Sequence, residues 1–466
     1  MKIVKMKFRK KIHLEISERK VLLRLIDLLF VLFALNVVRQ IFHFSYFSVS
    51  WSNFDWTLVL GFYLIFFGSV FELYNLQAAS NQYVTVKNVI LTSISTVLFF
   101  LLTPILTPAL PDNRLQIIYF FLAILCSLLL WRFIYLKLFA STRFEKRVLF
   151  ICDSKSLNKK VNDLISVNPH YKVYGYVSTQ IESEINMSYT SVSLASLENF
   201  IASNSLTEIV IAFKESEKIE TELYEKLLDL LENGITIRAY DQVYESSTNR
   251  LPVSYFSKDF YKYFPFSRSN QNKFYLLIVR LLEIIISIIG LSVLVVFVPF
   301  LLLINLGWNK GELFYLQERV GKNNKPFIIY KLRTMIPTAE ANGAAFASSN
   351  DSRITPFGLF LRKTRIDEFP QFFNILKGDM SILGPRPERP VFVDQIAARL
   401  PFYKTRHVIK PGLTGWAQVN HAYTNSIDDA LIKLQYDLFY IKHRSVFLDI
   451  NIIIKTIGTV LFYKGQ

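Results

Sequence analysis

Five apolar runs constrain this chain more than anything else in it. Four occupy the first third, at roughly 21–38, 57–73, 88–107 and 115–134. Each is near the ~20 residues a helix needs to cross the hydrocarbon of a bilayer. The fifth, 274–306, is longer and is interrupted only by Arg280, Glu283 and a late Pro299. Composition agrees: of 466 residues, 52% are hydrophobic and 15% aromatic, too greasy for an ordinary soluble protein.

The distribution of cations gives an orientation. A basic arm (Lys2, Lys5, Lys7, Arg9, Lys10, Lys11, Arg19, Lys20) precedes the first run, and Lys137, Arg143, Lys146 and Arg147 follow the fourth. The first far loop, 40–56, has no Lys or Arg and is rich in aromatics. Positive charge marks the cytoplasmic side, so both ends of a four-helix unit face the cytoplasm. A signal peptide is the rival for the start, but no small-residue cleavage site follows. Within the first run Arg24 and Asp27 stand three residues apart, a spacing that lets them pair on one helix face.

The net charge of +16 needs its own account. No zinc-ligand cluster or RNA-binding signature accompanies it, so no nucleic acid is expected, and a basic protein on an anionic membrane surface is the better reading. Cys126 and Cys152, in an apolar run and a buried strand, suggest no disulfide framework.

Between about 147 and 263 the pattern turns soluble and alternating. Strands are expected at 147–153, 208–214 and 235–241, with helices after the first and at 221–234. A dinucleotide site needs glycines where the first strand turns into its helix. Here that turn reads Cys152-Asp153-Ser154-Lys155-Ser156, which favours a scaffold or regulatory module. A membrane-bound nucleotide-sugar dehydratase would need that glycine turn and a Tyr-x-x-x-Lys pair, and no such spacing occurs between 141 and 266.

The fifth run poses a topological problem. A straight helix over 274–306 would be ~50 Å long, against a ~30 Å core. Yet Lys258, Lys262, Arg268 and Lys273 precede it, and Lys310, Arg319 and Lys322 follow. Cations on both flanks place both ends in the cytoplasm, so the helix should enter, break at Pro299 and return. A plain fifth span is the alternative.

Residues 351–390 carry the chemistry. Asp367-Glu368 lies among Arg353, Arg362, Lys363 and Arg365, ahead of a rigid Gly384-Pro385-Arg386-Pro387 turn. Carboxylates beside cations and rigid turns are what phosphate chemistry uses. Thr364-Arg365-Ile366-Asp367 also fits a capping box, which needs only a helix end.

Gln317–Gly321, Tyr330–Met335, Arg362–Gln371, Gly384–Pro387, Pro411–Trp416 and Tyr436–Lys442 occur in the order found in the monotopic phosphoglycosyl transferases. Over about 274–466 the chain resembles the catalytic domain of these bacterial sugar transferases, and its domain order resembles that of their large members. It departs at Val298-Pro299, where the family has Ser-Pro, at Val279–Glu283, where it has Lys-Arg-x-x-Asp, and at His421, often glycine.

The resemblance implies a membrane α-helical plus α/β fold in three parts. These are a four-helix transmembrane domain (1–140), a Rossmann-like, CoA-binding-like module (141–266) and a transferase domain (267–466) with re-entrant helix 274–306. Arg399–Lys410 and Ser445–Phe462 are expected as amphipathic helices at the headgroup level, with an ordinary buried helix as the alternative for the second. The resemblance makes Asp367 the covalent nucleophile and Glu368 a Mg2+ ligand. It implies transfer of a sugar-1-phosphate, glucose-1-phosphate first, with galactose or an N-acetylated sugar as alternatives, from a UDP-sugar to undecaprenyl phosphate with release of UMP, the initiating step of exopolysaccharide, capsule or O-antigen synthesis. Lys331, Arg333, Arg365 and Arg386 are phosphate-contact candidates, and Pro299, Pro385, Pro387 and Asp437 supporting ones. The expected setting is the bacterial inner membrane, multi-pass, active site to the cytoplasm, with membrane lipid as a partner and room for a homodimer. A non-enzymatic organiser of polysaccharide export is the reading from another class.

Overall fold

The computed structural model describes residues 16–74, 82–139, 146–152, 154–165, 171–178, 189–212, 221–253, 267–309, 311–339, 351–400, 402–421 and 427–461. The first part of the basic arm, Arg143, Lys258, Lys262 and Lys310 lie outside these residues. Contacts divide the chain into two units, Met1–Tyr240 and Asp241–Gln466.

The first unit begins with helices α1 (Ile16–Phe42), α2 (Phe54–Val70), α3 (Gln82–Leu101) and α4 (Leu115–Phe139). Each contains a stretch long and apolar enough to cross a membrane. The helices meet through large side chains, among them Leu35, Leu60, Leu64, Phe100, Phe120 and Leu128. Asp27 is fully buried, and its partner is not Arg24 but Arg132 of α4, at 2.6 Å. The spacing in α1 permitted an intrahelical pair. Packing of α1 on α4 brought a nearer guanidinium.

The unit continues with β1 (Lys146–Ile151), α5 (Ser154–Ile165), β2 (Tyr171–Val177), β3 (Thr190–Ser191), α6 (Leu197–Asn204), β4 (Glu208–Ile211), α7 (Thr221–Glu232) and β5 (Thr236–Ala239). All strand pairs are parallel, in the order β3-β2-β1-β4-β5. This is the doubly wound arrangement expected of alternating strands and helices, with β2, β3 and α6 added to the segments legible in the sequence. Its switch point lies between β1 and β4, where such sheets take nucleotides. There the buried Lys160 of α5 donates to the Ala212 carbonyl just past β4, so a side chain of the sheet's own helix serves this edge.

The second unit starts with most of α8 (Tyr240–Thr248). Trp416 Nε1 donates to Asn249 O at 3.1 Å and Leu251 N to Gln435 O at 3.0 Å, so residues 241–253 pack with the C-terminal part. Next comes α9 (Lys273–Trp308), one helix of 36 residues that runs through Pro299 rather than breaking there as expected, with its inward stripe buried on both sides of the proline at Leu294 and Leu301. Asn272 caps it, its side chain accepting from Phe274 N and Tyr275 N.

A single stripe of α9 faces the protein: Glu283, Ser287, Gly290, Leu294, Leu301 and Asn305. These spacings of three, four and seven keep one side of a helix inward. The outward side carries Phe274, Leu281, Ile289, Val295, Leu303 and Trp308, all exposed. Both ends are tied to the same unit. Arg280 donates to the Ile375 and Leu376 carbonyls at 2.6 and 2.7 Å, and Glu283 accepts from Ser381. At the far end Asn309 donates to Arg333 O at 3.0 Å.

The rest comprises β6 (Phe314–Val320) and β7 (Pro326–Leu332), an antiparallel ribbon, then α10 (Pro356–Thr364), α11 (Gln371–Lys377), β8 (Ser381–Leu383), α12 (Pro390–Ala397), β9 (Gly412–Thr414), α13 (Trp416–Asn420), α14 (Ile427–His443) and α15 (Val446–Leu461). Expectation and structure part at 399–410. Its ordered core is a 3-10 turn, Tyr403–Val408, with Tyr403, Arg406 and His407 buried, not an amphipathic helix. Arg406 draws the segment inward because it answers Asp437 inside the domain, 2.7 Å away. By contrast, α15 presents Phe447, Ile450, Ile453, Ile457 and Val460 outward. Its Asp449 is buried and accepts from Tyr440 Oη at 2.9 Å.

Candidate active site

The helix α10 is built to end where the carboxylate pair begins. Thr355 caps its start, accepting from Gly358 N at 2.9 Å, and Pro356 fits the first turn. Gly358 is required there because a Cβ would run into the Thr334 carbonyl. At the other end Arg365 takes a left-handed conformation, φ 59°, which stops the helix. The chain then makes a 3-10 turn, Ile366–Glu368, before Pro370 and α11.

The capping-box reading of Thr364 therefore fails. Its hydroxyl donates back to Phe360 O at 2.9 Å and to Leu361 O at 3.2 Å, closing the preceding helix rather than opening the next.

On a 3-10 turn adjacent side chains diverge by ~120°, and Asp367 and Glu368 accordingly meet different surroundings. Glu368 Oε1 takes Arg365 at 3.2 Å and two nitrogens of Arg386 at 3.4 Å. Burial alone would raise its carboxyl, but Arg386, Arg365 and Lys331 outweigh that and hold it down to about 2. Asp367 is equally buried, and its Oδ1 has no hydrogen-bond partner. Burial first, and the Glu368 charge second, push it up to about 6, against the pull of Lys331, Arg365 and Arg362. One carboxylate is clamped and the other is left unbonded.

The clamp rests on close backbone contacts. Gly384 N donates to Thr414 O and Gly412 N to Pro385 O, both at 2.9 Å, fastening the Gly-Pro-Arg-Pro turn to β9. A Cβ on Gly384 would strike the Lys410 carbonyl, and one on Gly412 the Gly384 amide. Pro387 O accepts from Arg319 at 3.1 Å, while Arg386 O accepts from Arg406 at 3.0 Å. Arg406 also donates to Tyr403 Oη at 2.7 Å and pairs with Asp437. Asp437 thus reaches the site through Arg406, a residue the motif reading had not singled out. The adjacent Tyr436–Lys442 motif was the only sequence signal for it.

Lys331 on β7 faces the same site. Burial first, and Arg386 second, lower its ammonium to about 8 against the pull of Glu368. Its strand is set by Asn374 of α11, which donates to Ile328 O at 2.6 Å and accepts from Tyr330 N at 3.0 Å. Arg333 has a different placement. Its guanidinium donates to the Asn309 carbonyl and packs over Gly311, where φ is 125°, linking β7 to the end of α9. Arg362 acts on Asp367 electrostatically and donates to Thr334 Oγ1 at 2.9 Å. The sequence already set Arg362 among the cations around the pair; its seat in the last turn of α10 comes from the structure.

A buried pair of carboxylates walled by Lys331, Arg362, Arg365 and Arg386 can receive a phosphorylated substrate. No cluster of three or more His, Cys, Asp or Glu side chains suited to a metal exists among the described residues.

With this geometry, residues 274–463 match the bacterial sugar transferase family. An undecaprenyl-phosphate N-acetylgalactosaminephosphotransferase of Aeromonas hydrophila, which uses the UDP-sugar by name, is 53% identical over 151 residues, 32% of this chain and 36% of that one. A UDP-glucose:undecaprenyl-phosphate glucose-1-phosphate transferase of Klebsiella pneumoniae is 38% identical over 183 residues, 38% and 39% of the two chains. An uncharacterized sugar transferase of Bacillus subtilis is 36% identical over 174 residues, 37% of this chain and 81% of that one. The chain belongs to the bacterial sugar transferase family. It spans little more than a third of the length of the Aeromonas and Klebsiella relatives and most of the Bacillus one.

Proposed function

We propose that this protein transfers a sugar-1-phosphate from a UDP-sugar to undecaprenyl phosphate, the initiating step of a cell-surface polysaccharide. The observation that carries the reading is the division of labour at 367–368: one buried carboxylate with a free oxygen beside another held by two arginines. Asp367 attacks the sugar-bearing phosphorus, and the bond to the UMP oxygen breaks. An oxygen of undecaprenyl phosphate then attacks the phosphosugar–aspartyl intermediate, forming the lipid diphosphate and restoring Asp367. Two displacements let one cationic pocket serve two anionic substrates in turn.

Magnesium fits this donor set. It binds through one or two carboxylates plus phosphate oxygens rather than an all-protein cage, and Glu368, with the unbonded Asp367 oxygen nearby, would hold it. When bound it would neutralise the diphosphate. Lys331, Arg365 and Arg386 supply the remaining positive charge for the phosphoryl oxygens, with guanidinium forks suited to phosphate.

The donor is the open choice. The 53% identity to an enzyme named for N-acetylgalactosamine favours UDP-N-acetylgalactosamine, ahead of the UDP-glucose expected from the Gly384–Pro390 motif. Purified membranes given a panel of radiolabelled UDP-sugars should carry label into chloroform-soluble lipid from one donor. No label from any donor would sink the enzymatic reading and favour the export organiser.

The protein sits in the bacterial inner membrane with its transferase unit at the cytoplasmic face. The packing of α9 supports this. A perpendicular span would be clear of the soluble domain in mid-membrane, whereas α9 contacts one domain from Arg280 to Asn309. Its exposed apolar side suits a helix that dips into one leaflet.

A further inference from the structure

At one end of the four-helix bundle, two arginines from different helices converge on one aromatic ring. The Arg24 guanidinium of α1 lies 5.2 Å from the centre of the Tyr74 ring and that of Arg132, on α4, lies 5.6 Å from it. Asp27 saturates only Arg132, so the cluster keeps one net positive charge. Arg24 has no carboxylate within ion-pair range among the described residues, and Nε of both arginines is buried without a hydrogen-bond partner. Nothing in the transferase chemistry uses these groups.

Their depth is informative. Arg24 stands four residues after Lys20, the last charge before the first apolar run, and Arg132 five residues before Lys137, the first charge after the fourth. At ~1.5 Å per residue they lie ~6 and ~7.5 Å inside the charged flanks. A guanidinium at that depth reaches lipid phosphates, and tyrosine is at home in that layer. An arginine in hydrocarbon without a counter-ion is costly. A lipid phosphate would supply that counter-ion through paired N–H···O bonds.

We infer that Arg24, with Arg132 and Tyr74 behind it, forms a binding site for the phosphate group of a membrane lipid at the cytoplasmic end of the bundle. The inference rests on the reading that these helices cross the bilayer with their basic ends toward the cytoplasm. The phosphate could belong to a phosphatidylglycerol or to a polyprenyl phosphate, or be free in solution, and the test separates these sources.

Full-length protein is incorporated into phosphatidylcholine nanodiscs doped with phosphatidylglycerol or, separately, with polyprenyl phosphate. Native mass spectrometry of the released protein counts retained lipid. A third sample, in detergent, receives inorganic phosphate alone. Wild type should retain one of the doped lipids, Arg24→Gln should retain about tenfold less (~1.4 kcal/mol), and Arg24→Lys should hold an intermediate amount. Arg39→Gln, an exposed arginine at the other end of α1, should behave as wild type. Arg24-dependent binding of inorganic phosphate with no lipid retention would overturn the lipid assignment. Equal retention by Arg24→Gln and wild type would overturn the site, as would equal loss in Arg39→Gln. Wild type that emerges with no doped lipid and binds no phosphate would overturn it without any variant. Failure to enter nanodiscs at all would instead fault the transmembrane reading.

Discussion

Arg386 sets two guanidinium nitrogens 3.4 Å from a single oxygen of Glu368. Because the same arginine is fixed through its own carbonyl by Arg406, the carboxylate cannot swing toward its neighbour without breaking a buried chain of contacts. This is what keeps Asp367 and Glu368 chemically distinct although they are adjacent.

Asp367→Asn should abolish both sugar-phosphate transfer and UMP release without acceptor lipid, whereas Glu368→Gln should chiefly raise the magnesium needed for half-maximal rate. An Asp367→Asn rate above roughly a hundredth of wild type, ~2.7 kcal/mol of barrier, would exclude the covalent role. An unchanged magnesium titration in Glu368→Gln would remove that residue from the metal site.

The rate should be bell-shaped in pH. With Asp367 attacking as the carboxylate, as proposed, activity should rise as pH passes about 6 and fall above about 8 as Lys331 loses its proton. A bound cation favours the ionised carboxylate, so added magnesium should move the acid limb to lower pH. In Lys331→Arg, which cannot deprotonate in this range, the alkaline limb should vanish. A wild-type profile flat from pH 7 to 9 would contradict the assignment.

Asp437→Ala leaves Arg406 buried without its partner, a change that costs about 3–5 kcal/mol. Thermal melting in detergent should drop by roughly 5–20 °C. Replacing both partners by apolar residues of similar volume should be milder. If Asp437→Ala melts with wild type, the Arg406 pair does not hold the Arg386 turn.

Cysteines placed at Ser269 and at the exposed Glu312, just past Asn309, should both be shielded from an impermeant thiol reagent in intact cells and react once the membrane is permeabilised, since α9 ties both ends to one unit. Pro299→Leu restores an N–H and removes the ring clash within a helix that is already continuous, so the variant should leave both positions shielded. Labelling of Glu312→Cys from outside in otherwise unchanged protein would show a crossing helix.

A chain beginning at Asp241 should keep more transferase activity than one beginning at Lys258. Only the longer one retains Leu251, fully buried in the second unit, and the Asn249 carbonyl that accepts from Trp416. Equal activity of two folded truncations would make residues 241–253 dispensable.

Much of this protein was written along the chain. Apolar run length marked the four N-terminal helices and α9, because a long, nearly uncharged apolar segment withdraws from water as a helix that satisfies its own backbone. Alternation marked β1, β4, α7 and β5, because strands and helices have fixed periods. The Asp367-Glu368 pair and the Gly-Pro-Arg-Pro turn were legible as local motifs. What the sequence could not supply was partnership between distant residues. Asp27 had a plausible mate three residues away and took Arg132 instead. The segment 399–410 has the composition of an interfacial helix, yet Asp437 pulls Arg406 into the core. Arg333 stands in a transferase motif and serves α9, while Arg362 and Arg406 reach the site only through packing. Periodicity and spacing report forces that act within a few residues. Which charge neutralises which is decided by the burial of both, and only the folded chain brings them within reach.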